Sequence, residues 1–248
     1  MSDLSAHRGP NVAIDVAVLT VDHWGSPGAG LAVATLERTA QPAGTVLPGR
    51  FLRENESVTE CIHTALREKV GIDAPSVSPL LLRVFDAPGR DPRAWTISLA
   101  HVVVLPRRSI PGPVTRVDEV SGLLFDHDVI LEEAVTRVRE RYELGPDPDG
   151  LLDDPFTLAE LRSMHEAVLG AEIRRDTFRR RMEPLLFPHL ESGVHASRSD
   201  GGRPARLWST KRSPDSLSLS LRSRLPRESD PNRFSPGSTT RSPRRRST

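Results

Sequence analysis

Three places in the 248-residue chain gather carboxylates or guanidinium groups that could do chemistry. The first is Leu47–Ile72, LPGRFLRENESVTECIHTALREKVGI, which carries Glu56 and Glu68 together with Arg50 and Lys69. Carboxylates sharing one helix face can hold divalent cations, and such cations neutralise a diphosphate and activate water. Here the face offers Ala65, Glu68 and Lys69, a poor seat for Mg²⁺. Arg50 and Lys69 could instead meet a diphosphate directly as charged donors. The second place is FDAPGRDPR, Phe85–Arg93, with Arg90 and Arg93 in residues that favour turns. The third is IRRDTFRRRM, Ile173–Met182, with Arg174, Arg175, Arg179, Arg180 and Arg181. Taken alone, that segment also reads as a solvated charged helix.

The elements that must hold these groups follow from periodicity and caps. Asn11–Val21 and Leu31–Leu36 are apolar and rich in Val, and the turn cluster His23–Gly30 makes them a hairpin. Thr45–Leu47 is a short strand, Pro79–Phe85 another, and Trp95–Leu105 a long one. Ser57 and Glu60 form a capping box that opens a helix closed by Gly71. Asp126 is expected to cap a helix over His127–Glu143, whose apolar face holds Val129, Ile130, Ala134, Val135, Val138 and Tyr142. Gly145–Pro155 reads as a linker. Thr157 and Glu160 cap a further helix that stops at Gly170, and Ile173–Met182 follows as its partner in a helix-turn-helix. Residues 194–211, VHASRSDGGRPARLWSTK, read as two strands around a turn, a wing carrying Arg198, Arg203 and Arg206.

The frame Leu47–Ile72 resembles the Nudix box: Gly, five residues, Glu, seven residues, then Arg-Glu-apolar-x-Glu-Glu-x-Gly-apolar. Glu56, Leu66, Glu68, Gly71 and Ile72 keep the pattern. Arg50 replaces the opening Gly, Thr64 the Arg, Ala65 its neighbouring Glu and Lys69 the last Glu. The loop FDAPGRDPR is similar to the one beside the nucleotide in ADP-ribose pyrophosphatases. With FTLAELRSMHEAVLG, RRDTFRRRM and GGRPARLW behind it, the chain resembles the Nudix-related transcriptional regulators. That resemblance implies an α/β (α+β) Nudix α/β/α sandwich over 11–125, a connecting helix and linker over 126–155 and a winged helix-turn-helix over 156–212. A disordered Arg/Ser/Pro-rich tail over 213–248 is expected from composition.

The same resemblance implies a homodimer, operator DNA and ADP-ribose or a related nucleotide as effector. Arg50, Lys69, Arg90 and Arg93 are the expected ligand-binding residues. Arg174, Arg175, Thr177, Arg179 and Arg203 are expected on DNA, with Arg180 and Arg181 facing phosphates. No cofactor is required and no metal site is assigned; Glu56 and Glu68 are remnants of catalysis. The alternative is a Nudix hydrolase of ADP-ribose-like substrates, using Mg²⁺ with Glu54 or Glu60 as a third carboxylate. A second alternative is an adaptor whose C-terminal helices only dimerise.

Composition sets the outer limits. The net charge of +1 allows only a local nucleic-acid site. The single Cys61 excludes an intramolecular disulfide and reads as a buried, inert thiol. The apolar runs are well short of the roughly 20 residues that span a bilayer. The start MSDLSAHRGPN has no signal-peptide layout. A soluble, cytoplasmic protein is the expectation.

Overall fold

The apolar run at the start builds the central strand of the molecule. The computed structural model describes residues 9–73, 77–191, 194–199 and 204–211. The expected tail, residues 1–8 of the expected N-terminal arm and the wing turn with Arg203 lie outside these residues. Strand β1 (Asn11–Asp22) pairs antiparallel with β2 (Gly30–Ala34) through Val18↔Ala34 to Asp22↔Gly30. The hairpin expected from His23–Gly30 is therefore formed. A short ribbon follows, β3 (Leu36–Arg38) with β4 (Gly44–Val46), and β5 (Gly49–Phe51) returns to β1. Helix α1 (Val58–Ala65) carries the expected capping box of Ser57 and Glu60. It continues as one wider, π-helical turn over Leu66–Val70, and Gly71 closes it in the left-handed region at φ 74°.

Strand β6 (Leu80–Phe85) lies antiparallel to β7 (Thr96–Val104), and β7 lies parallel to β1. With β8 (Thr115–Arg116) the main sheet runs β6-β7-β1-β2-β8, with β5 joined to β1. Alternation along β1 divides the core in two. Ile14, Val16 and Val18 pack with Cys61, Ile62 and Leu66 of the first helical segment. Ala17, Leu19 and Val21 join a cluster on the other face with Ile130, Leu131 and Val138 of α2 (His127–Leu144). The sheet is thus covered on both sides, as a sandwich requires.

The second core cluster continues into the C-terminal unit. Leu161 and Met164 of α3 (Leu158–Leu169), Phe178 of α4 (Arg175–Met182) and Trp208 all belong to it. Each fully buried side chain of this size contributes about 1.5–3 kcal/mol, so the two units share a core. The wing strands assemble on β14 (Ala205–Ser209). It pairs with β9 (Phe156–Thr157), β10 (Phe187–Pro188) and β13 (Ser197–Arg198), while β11 (Leu190–Glu191) and β12 (Val194–His195) form a separate hairpin.

Two sequence expectations are corrected. Asp126 makes no side-chain cap on α2. Its carboxylate is taken by Arg90, 36 residues away, while Asp128 accepts the Gly122 and Leu123 N–H groups at the helix start. Val129 is 46% exposed and leaves the apolar face of α2. The Gly145–Pro155 segment ends the preceding helix as expected, and within it buried Asp147 accepts from Tyr142 Oη (2.9 Å) and from the N–H groups of Leu151 and Leu152.

Candidate ligand cleft and nucleic-acid interface

A cleft of about 180 Å³ opens beside β1 and β5. Its lining includes Asp15, Gly49, Arg50, Phe51, Arg90, Arg93, Phe125 and His127. Asp15, a charge inside the apolar run of β1, is the hub. It accepts from Ser98 Oγ (2.7 Å) and Arg90 Nη2 (3.2 Å), and His127 Nε2 stands 3.5 Å from its other oxygen. Leu47 N–H donates to His127 Nδ1 (2.9 Å), which puts the neutral ring's proton on Nε2, facing Asp15. Burial works against the Asp15 charge, but His127, Ser98 and Arg90 outweigh it and hold the carboxyl below its usual range. The chain passes so close here that a Cβ on Gly49 would sit 2.4 Å from Asp15 Oδ1. Only glycine fits.

Arg90 is 4% exposed at its side chain and bridges Asp15 to Asp126. Burial opposes its charge, and the two carboxylates more than offset that, so it stays protonated. Arg93 is fixed by Asp91, which accepts from its Nε (2.8 Å), its Nη2 (2.6 Å) and its backbone N–H. Its guanidinium carbon lies 5.8 Å from the Phe51 ring and 5.1 Å from the Phe125 ring.

Arg50 also lines the cleft but is paired. Its Nη1 donates to Glu56 Oε1, and the other Glu56 oxygen accepts from the Arg53 N–H (3.0 Å). The Arg53 bond and the Arg50 guanidinium hold Glu56 below the usual carboxylate range. Thr64 stands where the Nudix pattern has an arginine, and Arg50 is the guanidinium that holds Glu56 here. Lys69 and Glu68 are exposed and are not among the lining residues. A Mg²⁺ of the kind the Nudix fold implies does not fit these residues. Glu56 is engaged by two donors, and among the described residues no group of three or more His, Cys, Asp or Glu could hold a metal ion. Cys61 is buried beside Arg50, and burial pushes its thiol up to about 11, which makes it unreactive.

The C-terminal unit presents a different surface. Thr157 and Glu160 cap α3 as expected, and Gly170 ends it at φ 70°. Glu166 accepts from the Ile173 N–H (2.9 Å) and from Arg162, which fixes the turn into α4. Phe178 and Met182 bury one side of α4. Arg174, Arg175 and Thr177 at its start are exposed, and among the described residues no hydrogen bond or ion pair engages the Arg174 or Arg175 side chains. The remaining arginines differ from them. Arg179 is paired with Glu183 (2.6 Å), Arg180 Nε reaches its own helix at Asp176 O, and Arg181 donates to Glu143 O at the end of α2. In the wing, Arg198 is paired with Glu160 (3.0 Å), whereas Arg206 is exposed.

Asp15, Ser98, His127, Phe51 and Phe125 escaped the sequence reading of the site. Only Asp15 gave a signal, as the lone charge between Val12 and Thr20.

A Nudix-type sandwich with a cleft beside its central strand, followed by a winged helix, is the architecture of the Nudix-related transcriptional regulators. The particular relatives are of the NrtR kind. Residues 150–210 match the family model of the NrtR DNA-binding winged helix domain. The chain is 28% identical over 222 residues to the ADPR responsive transcriptional repressor NtrR of Acinetobacter baylyi, covering 82% of this chain and 83% of that one. It resembles the crystal structure of Shewanella oneidensis NrtR complexed with a 27mer DNA at 28% identity and a TM-score of 0.64, over 84% of this chain and 95% of that one. A MutT/nudix family protein from Enterococcus faecalis shares the fold at 20% identity and a TM-score of 0.65, over 84% and 90% of the two chains. Among the described residues no helix is long and apolar enough to cross a membrane.

Proposed function

We propose that this protein is a cytoplasmic, homodimeric transcriptional regulator that binds operator DNA through its winged helix and senses ADP-ribose or a closely related nucleotide in the Nudix cleft. The observation that carries this reading is the course of α2. The helix begins in the cleft wall at His127 and ends where Glu143 O receives Arg181 of α4. Along the way Tyr142 stacks edge-on against His165 of α3 (5.0 Å), and His165 stacks against Phe178 of α4 (5.0 Å). One rigid element therefore touches both the ligand site and the DNA-reading helix.

In this reading the diphosphate meets Arg90 and Arg93, with Arg50 as a fixed cation near Glu56, and no metal is needed. A phosphate that takes a share of Arg90 competes with Asp126 at the head of α2. Ligand then favours one arrangement of the two winged helices over another, and operator affinity shifts with that population. On DNA, the exposed Arg174 and Arg175 and the neighbouring Thr177 face base edges from the start of α4, the part of a recognition helix that enters the major groove. Arg179, further along the same helix, meets a flanking phosphate.

The test is a gel shift with the full chain and the DNA upstream of its own coding region, with and without ADP-ribose. A specific shift whose midpoint moves with ADP-ribose supports the reading. A shift indifferent to ADP-ribose overturns the sensor, and no specific shift overturns the regulator. Release of AMP from ADP-ribose with Mg²⁺ would favour the hydrolase instead.

A further inference from the structure

A second cavity, of about 160 Å³, lies where β7 leaves the main sheet. The ladder between β1 and β7 reaches Leu105, whose N–H donates to Leu19 O (3.0 Å). Pro106 has no N–H to continue it, and the chain turns away. The gap beside Thr20 of β1 is walled by Trp24 from the first hairpin turn, by Pro106 to Arg108, by Leu151 and Asp153 ahead of β9, and by Met164 of α3. It therefore sits between the Nudix unit and the winged helix, and it shares no wall residue with the Nudix cleft.

The wall combines an open indole, an accessible cation and an unsatisfied hydroxyl. Trp24 is 41% exposed, although Leu151 and Met164 of the same wall are buried. Arg107 is tied down by Asp22 (3.2 Å) and by the carbonyls of Ile110 (2.6 Å) and Gly112 (3.2 Å). Arg108 instead meets Asp153 at 2.7 Å, with the two side chains 61% and 83% exposed. Water weakens such a pair, and a second carboxylate can replace Asp153 in it. Thr20 is fully buried and, among the described residues, its Oγ1 has no hydrogen-bond partner. A buried polar atom is normally bonded, so this one leaves a bond for a ligand's polar atom to make.

We propose that this cavity is a second ligand site, one for a single-ring aromatic carboxylate. An apolar cavity of about 150 Å³ has room for one benzene ring, and Trp24, Pro106 and Met164 offer the apolar and thioether surface that such a ring packs on. The carboxylate takes Arg108 in place of Asp153, and a hydroxyl on the ring meets Thr20. Occupancy then separates Arg108 from Asp153, a pair that ties the turn after β7 to the segment leading into β9. The site is independent of the nucleotide reading.

The experiment is isothermal titration of the full-length protein with benzoate, with 3- and 4-hydroxybenzoate, and with benzamide, which keeps the ring and lacks the charge. Benzoate is expected to bind about tenfold more tightly than benzamide, and Arg108→Gln, at an exposed position, to remove that advantage. Trp24→Leu should weaken benzoate about fivefold. Asp153→Asn removes the competing carboxylate and should tighten benzoate about threefold, a gain that a damaged fold does not give. One of the hydroxybenzoates should bind about fivefold more tightly than benzoate, with the difference lost in Thr20→Val. No binding of any carboxylate, benzamide binding as tightly as benzoate, or benzoate affinity unchanged in both Arg108→Gln and Trp24→Leu overturns the site. Weaker benzoate binding in Asp153→Asn overturns the seat on Arg108, and a hydroxyl gain that survives Thr20→Val overturns the Thr20 contact. ADP-ribose is titrated separately: its failure to bind sinks the sensor reading and leaves the benzoate series to decide this site.

Discussion

Replacing Arg90 with Met removes the cation from a nearly dry three-membered cluster. The Arg90 side chain is 4% exposed and that of Asp15 9%, with Ser98 and His127 as the other contacts of the Asp15 carboxylate. Removing one partner of a buried ion pair costs about 3–5 kcal/mol, because the remaining charge stays buried and uncompensated. Asp126 is the milder partner: its side chain is 20% exposed and regains water when Arg90 is lost. The loss in Arg90→Met is therefore carried mainly by Asp15, and Asp15→Asn in the same chain should recover more than half of it. Arg90→Lys should recover little, since one ammonium cannot bridge two carboxylates as the guanidinium fork does. The assay is urea unfolding at pH 7, followed by a double-mutant cycle over the three variants. Arg90→Met costing less than about 1 kcal/mol, or Asp15→Asn making the loss worse, would refute the hub.

The remaining predictions concern the two sites and the contact between them. His165 is buried between Tyr142 and Phe178, and burial pushes its imidazole down to about 4. The unfolded chain takes up that proton near pH 6.5 while the fold refuses it, so stability falls as pH drops from 6.5 toward 4, by about 3 kcal/mol at most. His165→Phe should flatten that limb of a Tm-against-pH curve, and an unaltered slope would count against it. Replacing both Arg174 and Arg175 with Ala should abolish a specific gel shift, at about 1–3 kcal/mol per base-contacting Arg, with ADP-ribose affinity unchanged. Arg179→Ala, already neutralised by Glu183, should cost less. Chelation with EDTA should leave ADP-ribose affinity within twofold; a tenfold loss would restore the metal.

Local features were legible in the sequence because their partners are near. Both capping boxes, the glycine stops at Gly71 and Gly170, the first hairpin and the buried Cys61 depend on neighbours within one or two turns or on simple periodicity. The site was legible only where the Nudix frame pointed to it. The sequence offers Arg50 to a diphosphate without showing that it also pairs with Glu56, and it offers Asp126 as a cap where Arg90 claims the carboxylate. His127 meets the Leu47 N–H across 80 residues, and Asp15 meets Arg90 across 75. Such pairs are set by how strands stack, and no local propensity encodes them. Phe51 and Phe125 were silent for the same reason, since a half-exposed aromatic acquires meaning only from what stands opposite.

The account turns on a cleft that governs a DNA-reading helix without consuming its ligand. The most direct measurement is a fluorescence-anisotropy titration of the full-length protein on its own upstream DNA, repeated with saturating ADP-ribose and EDTA and followed by assay for AMP. The account predicts specific binding whose Kd moves at least fivefold with ADP-ribose, with no AMP released. An unmoved Kd, or ADP-ribose consumed on the time scale of the titration, would contradict it.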